Sequence, residues 1–193
     1  MRLAAQHPDW VLGFADETWL SRLAPPALHS WTEGKPLQLG EQALPKEDAE
    51  PNTLCCYGRL RTDGHAVLRR CVDGRPVSRV TTAFLAWLCQ RLAAERKRVL
   101  VLLWDNASWP ISRQVRTWSR AHNQQVKRHG GVRLLTWRWP IKSPWLNPLE
   151  PHWMHAKRAI VEPARLLTAA EIITRVCAYF GCEHVEHLKQ LVA

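Results

Sequence analysis

The sequence predicts an α/β domain, and three observations carry that prediction. A continuous apolar run, Val99 to Trp104, reads as a central strand covered on both faces. Stretches of strand-like alternation precede it, and stretches with helical spacing and clear caps lie on either side. At 193 residues the chain can bury one good core and is too short for two ordinary domains.

The elements follow in order. Trp10 to Trp19 predicts a first strand, with Leu12, Phe14, Asp16 and Thr18 on one face and Val11, Ala15, Glu17 and Trp19 on the other. A weaker second strand is expected within Trp31 to Leu39. The prolines and acids from Pro36 to Pro51 predict a solvated loop inserted at about 36–51. Thr53 to Arg61 and His65 to Val72 flank Asp63-Gly64, a strong hairpin signal, and Asp73-Gly74 closes the second of these strands.

Thr81 to Arg96 has Phe84, Leu85, Leu88 and Leu92 on one helical face and a basic last turn suited to the helix dipole. After the Val99 to Trp104 strand, Ser112 can cap a helix that runs to Gly130-Gly131. Its Val115, Trp118, His122 and Val126 form an apolar stripe, while Arg113, Arg116, Arg120 and Lys127 gather on the other side. Val132 to Trp139 predicts a further strand, and Pro140 to Asn147 a rigid loop. Asn147 resembles an N-cap, with Pro148 at the first helical position and Glu150 at the third. The last helix opens on the capping box Thr168-x-x-Glu171 and stops near Gly181.

Composition narrows the function. Lys and Arg exceed Asp and Glu by a formal charge of +10, which favours a polyanionic partner such as nucleic acid. No apolar segment is long enough to span a bilayer, and the first residues lack the apolar core of a secretory signal, so a cytoplasmic location is expected. Six scattered cysteines read as small core residues in a reducing compartment. Cys177, Cys182, His184 and His187 place four candidate zinc ligands close together, at a spacing that matches none of the usual structural sites. Of the eleven tryptophans, Trp109, Trp137, Trp139, Trp145 and Trp153 fall near the acids discussed next. Core packing is the expectation for most of them, while Trp109 and Trp145, in loops, are the candidates for stacking on bases.

Asp105 stands where the apolar strand ends. An ionised carboxylate at such a position calls for a hydrogen-bonded turn, an ion pair or a metal ion. Glu150 has a structural explanation of its own, since it can close a capping box with Asn147. The surrounding motifs decide between these readings. Trp104-Asp105-Asn106-Ala107-Ser108-Trp109, then Lys142-Ser143-Pro144-Trp145-Leu146-Asn147-Pro148-Leu149-Glu150-Pro151, then His155-Ala156-Lys157-Arg158-Ala159 together resemble DDE transposases of the insertion-sequence 630 family in the mariner superfamily. The resemblance extends to Phe14-Ala15-Asp16-Glu17, to Cys56-Tyr57-Gly58 and to Arg175-Val176-Cys177-Ala178-Tyr179, and so covers nearly the whole chain.

That resemblance implies an RNase H-like fold, a mixed central sheet flanked by helices that gathers three acids: Asp16, Asp105 and Glu150. Three clustered carboxylates repel one another unless divalent cations neutralise them, and the implied cofactor is a pair of Mg²⁺ or Mn²⁺ ions. The implied chemistry is two-metal cleavage of DNA at transposon ends and strand transfer into target DNA, at TA dinucleotides. Lys142, Lys157 and Arg158 join Arg113, Arg116, Arg120 and Lys127 as candidate DNA contacts, and a homodimer is implied because two ends must be synapsed.

The chain departs from the family pattern at Pro110, at Trp137-Arg138-Trp139 and at Ala156, and its interval between Asp105 and Glu150 is long. Family members normally carry helix-turn-helix modules ahead of the first catalytic strand, whereas this chain opens almost directly on that strand. The expectation is a catalytic domain, residues 1–193, whose end recognition lies on a separate or frameshift-fused polypeptide. An inactive remnant acting as a basic DNA-binding protein, and another RNase H-like nuclease, remain the alternatives at this point.

Overall fold

In the computed structural model the described residues are 6–23, 28–30, 37–39, 42–61, 67–73, 77–104, 112–140, 146–160, 165–182 and 184–185. They form β1 (Trp10–Ser21), β2 (Leu28–Ser30), β3 (Leu37–Leu39), β4 (Thr53–Arg61), β5 (Val67–Asp73), α1 (Ser78–Ala94), β6 (Val99–Trp104), α2 (Arg113–His129), β7 (Arg133–Arg138), α3 (Glu150–Ile160), α4 (Ala169–Phe180) and β8 (His184–Val185). The main sheet is mixed, with the order β7-β6-β1-β4-β5-β8, and β2 and β3 form a separate antiparallel pair. Among the described residues no helix is long and apolar enough to cross a membrane.

The chain divides into two compact units, one of residues 1–17, 57–70 and 76–152 and the other of 18–56, 71–75 and 153–193. In the first, β6 lies between β1 and β7 and is parallel to both, with Trp10 to Ala15 beside Val99 to Trp104 and these in turn beside Arg133 to Arg138. Helix α1 begins at Ser78, three residues before the sequence expectation. It buries Val80, Thr81, Phe84, Leu85, Leu88, Cys89 and Leu92, the spacing of one continuous helical face. Phe84 meets Tyr57 at 5.1 Å between ring centroids, and the Tyr57 hydroxyl lies 3.2 Å from Thr81 Oγ1. Gly13 allows a close approach in β1, where a Cβ would sit 3.2 Å from both Arg59 Cγ and the Leu60 carbonyl oxygen, a tight contact. Alternation predicted the two faces of β1, and every residue from Val11 to Thr18 is in fact buried.

In the second unit Leu37–Leu39 is a strand, at the end of the span Trp31 to Leu39 for which the sequence predicts a weaker one and where the expected loop 36–51 overlaps it. The acids of that loop are not merely solvated, because Asp48 and Glu50 hold a buried arginine. Arg22, only 3% exposed, donates to Asp48 Oδ1 at 2.9 Å, Asp48 Oδ2 at 2.6 Å and the Leu167 carbonyl at 2.7 Å. Glu50 Oε2 lies 3.3 Å from the same guanidinium and accepts from the Ala169 amide at 2.8 Å, so the loop is tied to the start of α4. That start carries the predicted capping box, with Thr168 and Glu171 bonded reciprocally, and α4 ends at Gly181 in the left-handed region at φ 59°. The hairpin turn predicted at Asp63-Gly64 lies outside the described residues.

These ion pairs set an acid dependence. Asp48 is held below the ordinary carboxylate range, chiefly by the Arg22 hydrogen bonds and then by the Glu50 amide. Glu171 is drawn down to about 2, first by Arg165 and then by the Thr168 amide. A depressed folded-state pKa gives stability that is complete at neutral pH and is lost as pH falls from about 4 through the folded-state value. Asp48→Asn is therefore expected to lower Tm at pH 7 and to flatten the Tm profile below about pH 4. Thermal melts from pH 2 to pH 8 check this, and superimposable profiles would remove the pair from the account.

Candidate active site

The first predicted acid sits at a defined level of the sheet. Ala15 is paired with Trp104, the last residue of β6, so Asp16 stands one residue beyond the point where β6 ends and the chain runs on into Asp105. Asp16 is 6% exposed. On its face of β1 lies Phe14, whose ring stacks on Trp139 at 5.6 Å with 12° between planes. The neighbouring acid, Glu17, points to the opposite face and is engaged there, accepting from Trp104 Nε1–H at 2.8 Å in a buried bond. That bond anchors the terminal residue of β6, a positioning role that the sequence reading missed. The signal was the Asp-Glu doublet itself, whose two side chains must diverge on a strand.

Glu150 opens α3 and is exposed. The Asn-Pro-Leu-Glu segment explains its placement. Buried Asn147 accepts from the Leu149 amide at 3.1 Å through Oδ1, Leu149 is fully buried, and the helix then buries Trp153, Ala156 and Ile160. The Asn147 side chain thus makes a bond expected of a cap, but the helix begins at Glu150, two residues after the predicted start at Pro148, and its apolar side leaves Glu150 exposed. Lys157 follows seven residues on, close to the same helical angle, and both it and Arg158 are exposed in the last turn. Asp105 and Lys142 lie outside the described residues, as do Trp109, Trp145 and Pro110.

Helix α2 begins as predicted, with Ser112 Oγ accepting from the Val115 amide at 3.3 Å. Because it links parallel strands, it runs back against them. The Asn123 side chain bonds both backbone groups of Leu134, and His122 Nε2 lies 2.8 Å from the Val132 oxygen, so the middle of the helix sits on the start of β7. Arg113 and Arg116 therefore belong to the end of the sheet at which Asp16 stands. Lys127 is displaced by about 16 Å along the axis from Arg116, beside Arg133. Arg120 lies between them, lining one cavity with Arg116 and another with Lys127, so the basic stripe runs along the helix rather than gathering at one end.

The tryptophan expectation holds for Trp153, 1% exposed, and for Trp104, 2% exposed. It fails for Trp137, which is 67% exposed, because β7 is the edge strand and its last three residues are uncovered. Of the four spaced candidate zinc ligands, Cys177 and Cys182 interact and His184 pairs in register with Cys71. Cys71 lies between Cys56, with sulfurs 2.8 Å apart, and Cys182, at 3.6 Å, whereas His187 is outside the described residues. Burial pushes the Cys56 thiol up, and burial followed by the neighbouring Cys182 pushes Cys177 up to about 11. Among the described residues, no three His, Cys, Asp or Glu side chains form a group that could hold a metal ion.

Comparison with solved structures gives the fold. The fold matches the Mos1 transposase paired-end complex with left transposon end at TM-score 0.57 and 18% identity, over 88% of this chain and 47% of that one. It matches the Mos1 mariner paired end complex with Mn at 0.57 and 18%, over 88% and 48%, and the corresponding complex with Mg at 0.56 and 18%, over 88% and 48%. At such identity the likeness is one of fold, and this chain spans about half the length of those chains. The domain is RNase H-like. The pattern of the DDE superfamily endonucleases matches residues 25–173, and the chain belongs to that family. The matched segment contains Asp105 and Glu150, and Asp16 precedes it. Among curated proteins, none matches.

Proposed function

We propose that this chain is the catalytic domain of a transposase of insertion-sequence 630 type, which cuts DNA at element ends and joins the freed 3′-hydroxyl to target DNA. The observation that carries the reading is the level of Asp16, buried beside the point where the parallel strand β6 runs out into Asp105. The DDE endonuclease pattern around Asp105 and Glu150 supports it, as do solved relatives named as transposase complexes with a transposon end, with Mn and with Mg.

The donor set suits a hard divalent cation, since Asp16, Asp105 and Glu150 offer carboxylate oxygens only. They would hold two Mg²⁺ or Mn²⁺ ions, which when bound activate a water or hydroxyl nucleophile and offset the charge of the phosphate under attack. The chain's own side chains do the rest. Asp16 is only 6% exposed in a strand buried from Val11 to Thr18, which holds it before substrate arrives, so that little ordering remains at the moment of reaction. Glu17, through Trp104, holds the end of β6 from which Asp105 follows. Arg113, Arg116 and Arg120 contact phosphates and set the register of the duplex without reading its sequence, and Lys157 and Arg158 extend the contact along α3. Transposon-end and target DNA are the partners, two copies of the chain bring two ends together, and a helix-turn-helix region supplies end recognition.

The test is Mn²⁺-dependent nicking and strand transfer on pre-cleaved DNA ends. Joining is the expected result. Cutting without joining would make the chain another RNase H-like nuclease, and DNA binding with no metal-dependent reaction would make it a binding protein.

A further inference from the structure

Three cysteines meet at a place that the proposed reaction does not use. Cys56 lies on β4, Cys71 on β5, and Cys182 follows the glycine that ends α4. The Cys71 sulfur is 2.8 Å from that of Cys56 and 3.6 Å from that of Cys182. All three belong to the second compact unit. A single buried cysteine packs as a small hydrophobe, but thiols in contact have a chemistry that separate ones lack.

A disulfide bond is about 2.05 Å long, and side-chain rotation with a small shift of the residue after α4 can close either contact to it. Both bonds use the Cys71 sulfur, so only one can exist at a time. Cys56 and Cys71 are fully buried and Cys182 is half-buried, which makes Cys182 the way in. Burial pushes the Cys56 thiol up; the Cys182 contact pulls Cys71 down, but the Cys56 contact and burial outweigh it. The two inner thiols are therefore slow towards reagents in solution, whereas an attack between groups already in contact needs only a small fraction of thiolate. Cys71 also pairs in register with His184 of β8, a strand of two residues at the edge of the sheet, so a bond from Cys71 to Cys182 would staple that edge.

We infer that Cys182, Cys71 and Cys56 form a thiol–disulfide exchange site, which takes up oxidation from a small-molecule disulfide and passes it inward. Cys182 attacks the small disulfide, forming a mixed disulfide and releasing one small thiol. Cys71 then attacks the Cys182 sulfur, forming the Cys71–Cys182 bond and expelling the second small thiol. The two cysteine protons leave on those two thiols, so the small disulfide is reduced as the cysteine pair is oxidised. Finally Cys56 attacks the Cys71 sulfur, forming Cys56–Cys71 and returning Cys182 to its thiol with the proton that Cys56 gives up. The first bond staples β8 and the second releases it. The site does not depend on any reaction with DNA.

The test is a time course of the full reduced chain with oxidised glutathione in EDTA, with free thiols alkylated and linked peptides mapped by mass spectrometry. A glutathione adduct at Cys182 should come first, then the Cys71–Cys182 bond, then Cys56–Cys71. Cys56→Ser should stop the sequence at Cys71–Cys182, and hydrogen exchange at His184 and Val185 should then slow by at least about tenfold against the reduced form. Cys182→Ser should slow formation of Cys56–Cys71 by at least about tenfold, with the melting temperature of the reduced chain unchanged. The peptide map of the parent chain decides the matter even where a variant fails to fold. Glutathione adducts without an internal bond overturn the inference, as does a Cys177–Cys182 bond in place of those to Cys71, or linkage that forms only in urea. Formation of Cys56–Cys71 at the parent rate in a folded Cys182→Ser chain also overturns it.

Discussion

Asp16→Asn is expected to abolish Mn²⁺-dependent joining of pre-cleaved DNA ends, with a loss of at least about 10³-fold and an unchanged melting temperature. The substitution keeps the volume and most of the hydrogen-bonding capacity of a side chain only 6% exposed, so the fold has little reason to respond. The negative charge is what disappears. In a site built to hold hard cations, a neutral amide contributes neither the charge nor the ligand strength of a carboxylate. Asp105→Ala and Glu150→Ala should behave alike, whereas Glu17→Gln should cost tenfold or less, on the order of one lost charge-assisted hydrogen bond. That contrast matters because the two adjacent acids are both buried and differ in the face they occupy. The Glu17 amide oxygen could still accept from Trp104, so its role as a positioning residue survives the exchange. Equal losses at Asp16 and Glu17 would mean that the doublet acts through fold integrity.

The second large effect is on stability. Trp153→Ala should remove about 3–5 kcal/mol, a large fraction of the roughly 5–15 kcal/mol that holds a domain of this kind together. Trp153 is 1% exposed and meets Phe180 edge-on, with centroids 5.7 Å apart and 87° between planes, so its removal opens a cavity between α3 and α4 that neither helix can close alone. Urea unfolding monitored by circular dichroism checks the figure. Trp153→Phe, which keeps an aromatic ring in the same place, should lose much less. Glu150 lies one turn before Trp153 on the same helix. The alanine variant should therefore lose joining activity as α3 loosens, before the chain as a whole unfolds.

Local physics made much of the molecule legible in advance. β6 is bounded as predicted because an unbroken apolar run has only one way to avoid water, and α2 and α4 start and stop at Ser112, Gly130, Thr168 and Gly181 because capping is a matter of a few adjacent residues. Helix α1 began early because Val80 and Thr81 found tertiary partners, which capping rules do not see. The loop expectation over 36–51 failed at Asp48 and Glu50 for a similar reason. Polar, proline-rich sequence reads as solvated until an arginine just after β1 is buried against it.

The candidate site divides along the same line. Asp16, Asp105 and Glu150 could be named from residue type and motif, although Asp16 stands inside β1 and Glu150 at the start of α3. Which neighbours they keep is a matter of strand order. The pairing of Ala15 with Trp104 aligns Asp16 with the exit of β6 across 89 positions of chain, and the return path of α2 separates Arg116 from Lys127. Sequence spacing grouped Cys177 and Cys182, which do lie together, but it could not show that Cys71 of β5 joins Cys182 at 3.6 Å. Trp137 read as core because an indole in a strand is usually covered, and the placement of β7 at the sheet edge left it bare. The chain by itself determined most of the elements and those ends that a cap or a break in an apolar run writes locally, since these depend on interactions within a turn or two of backbone. Only the tertiary structure decided burial, partners and exposure, since those depend on which strand lies beside which.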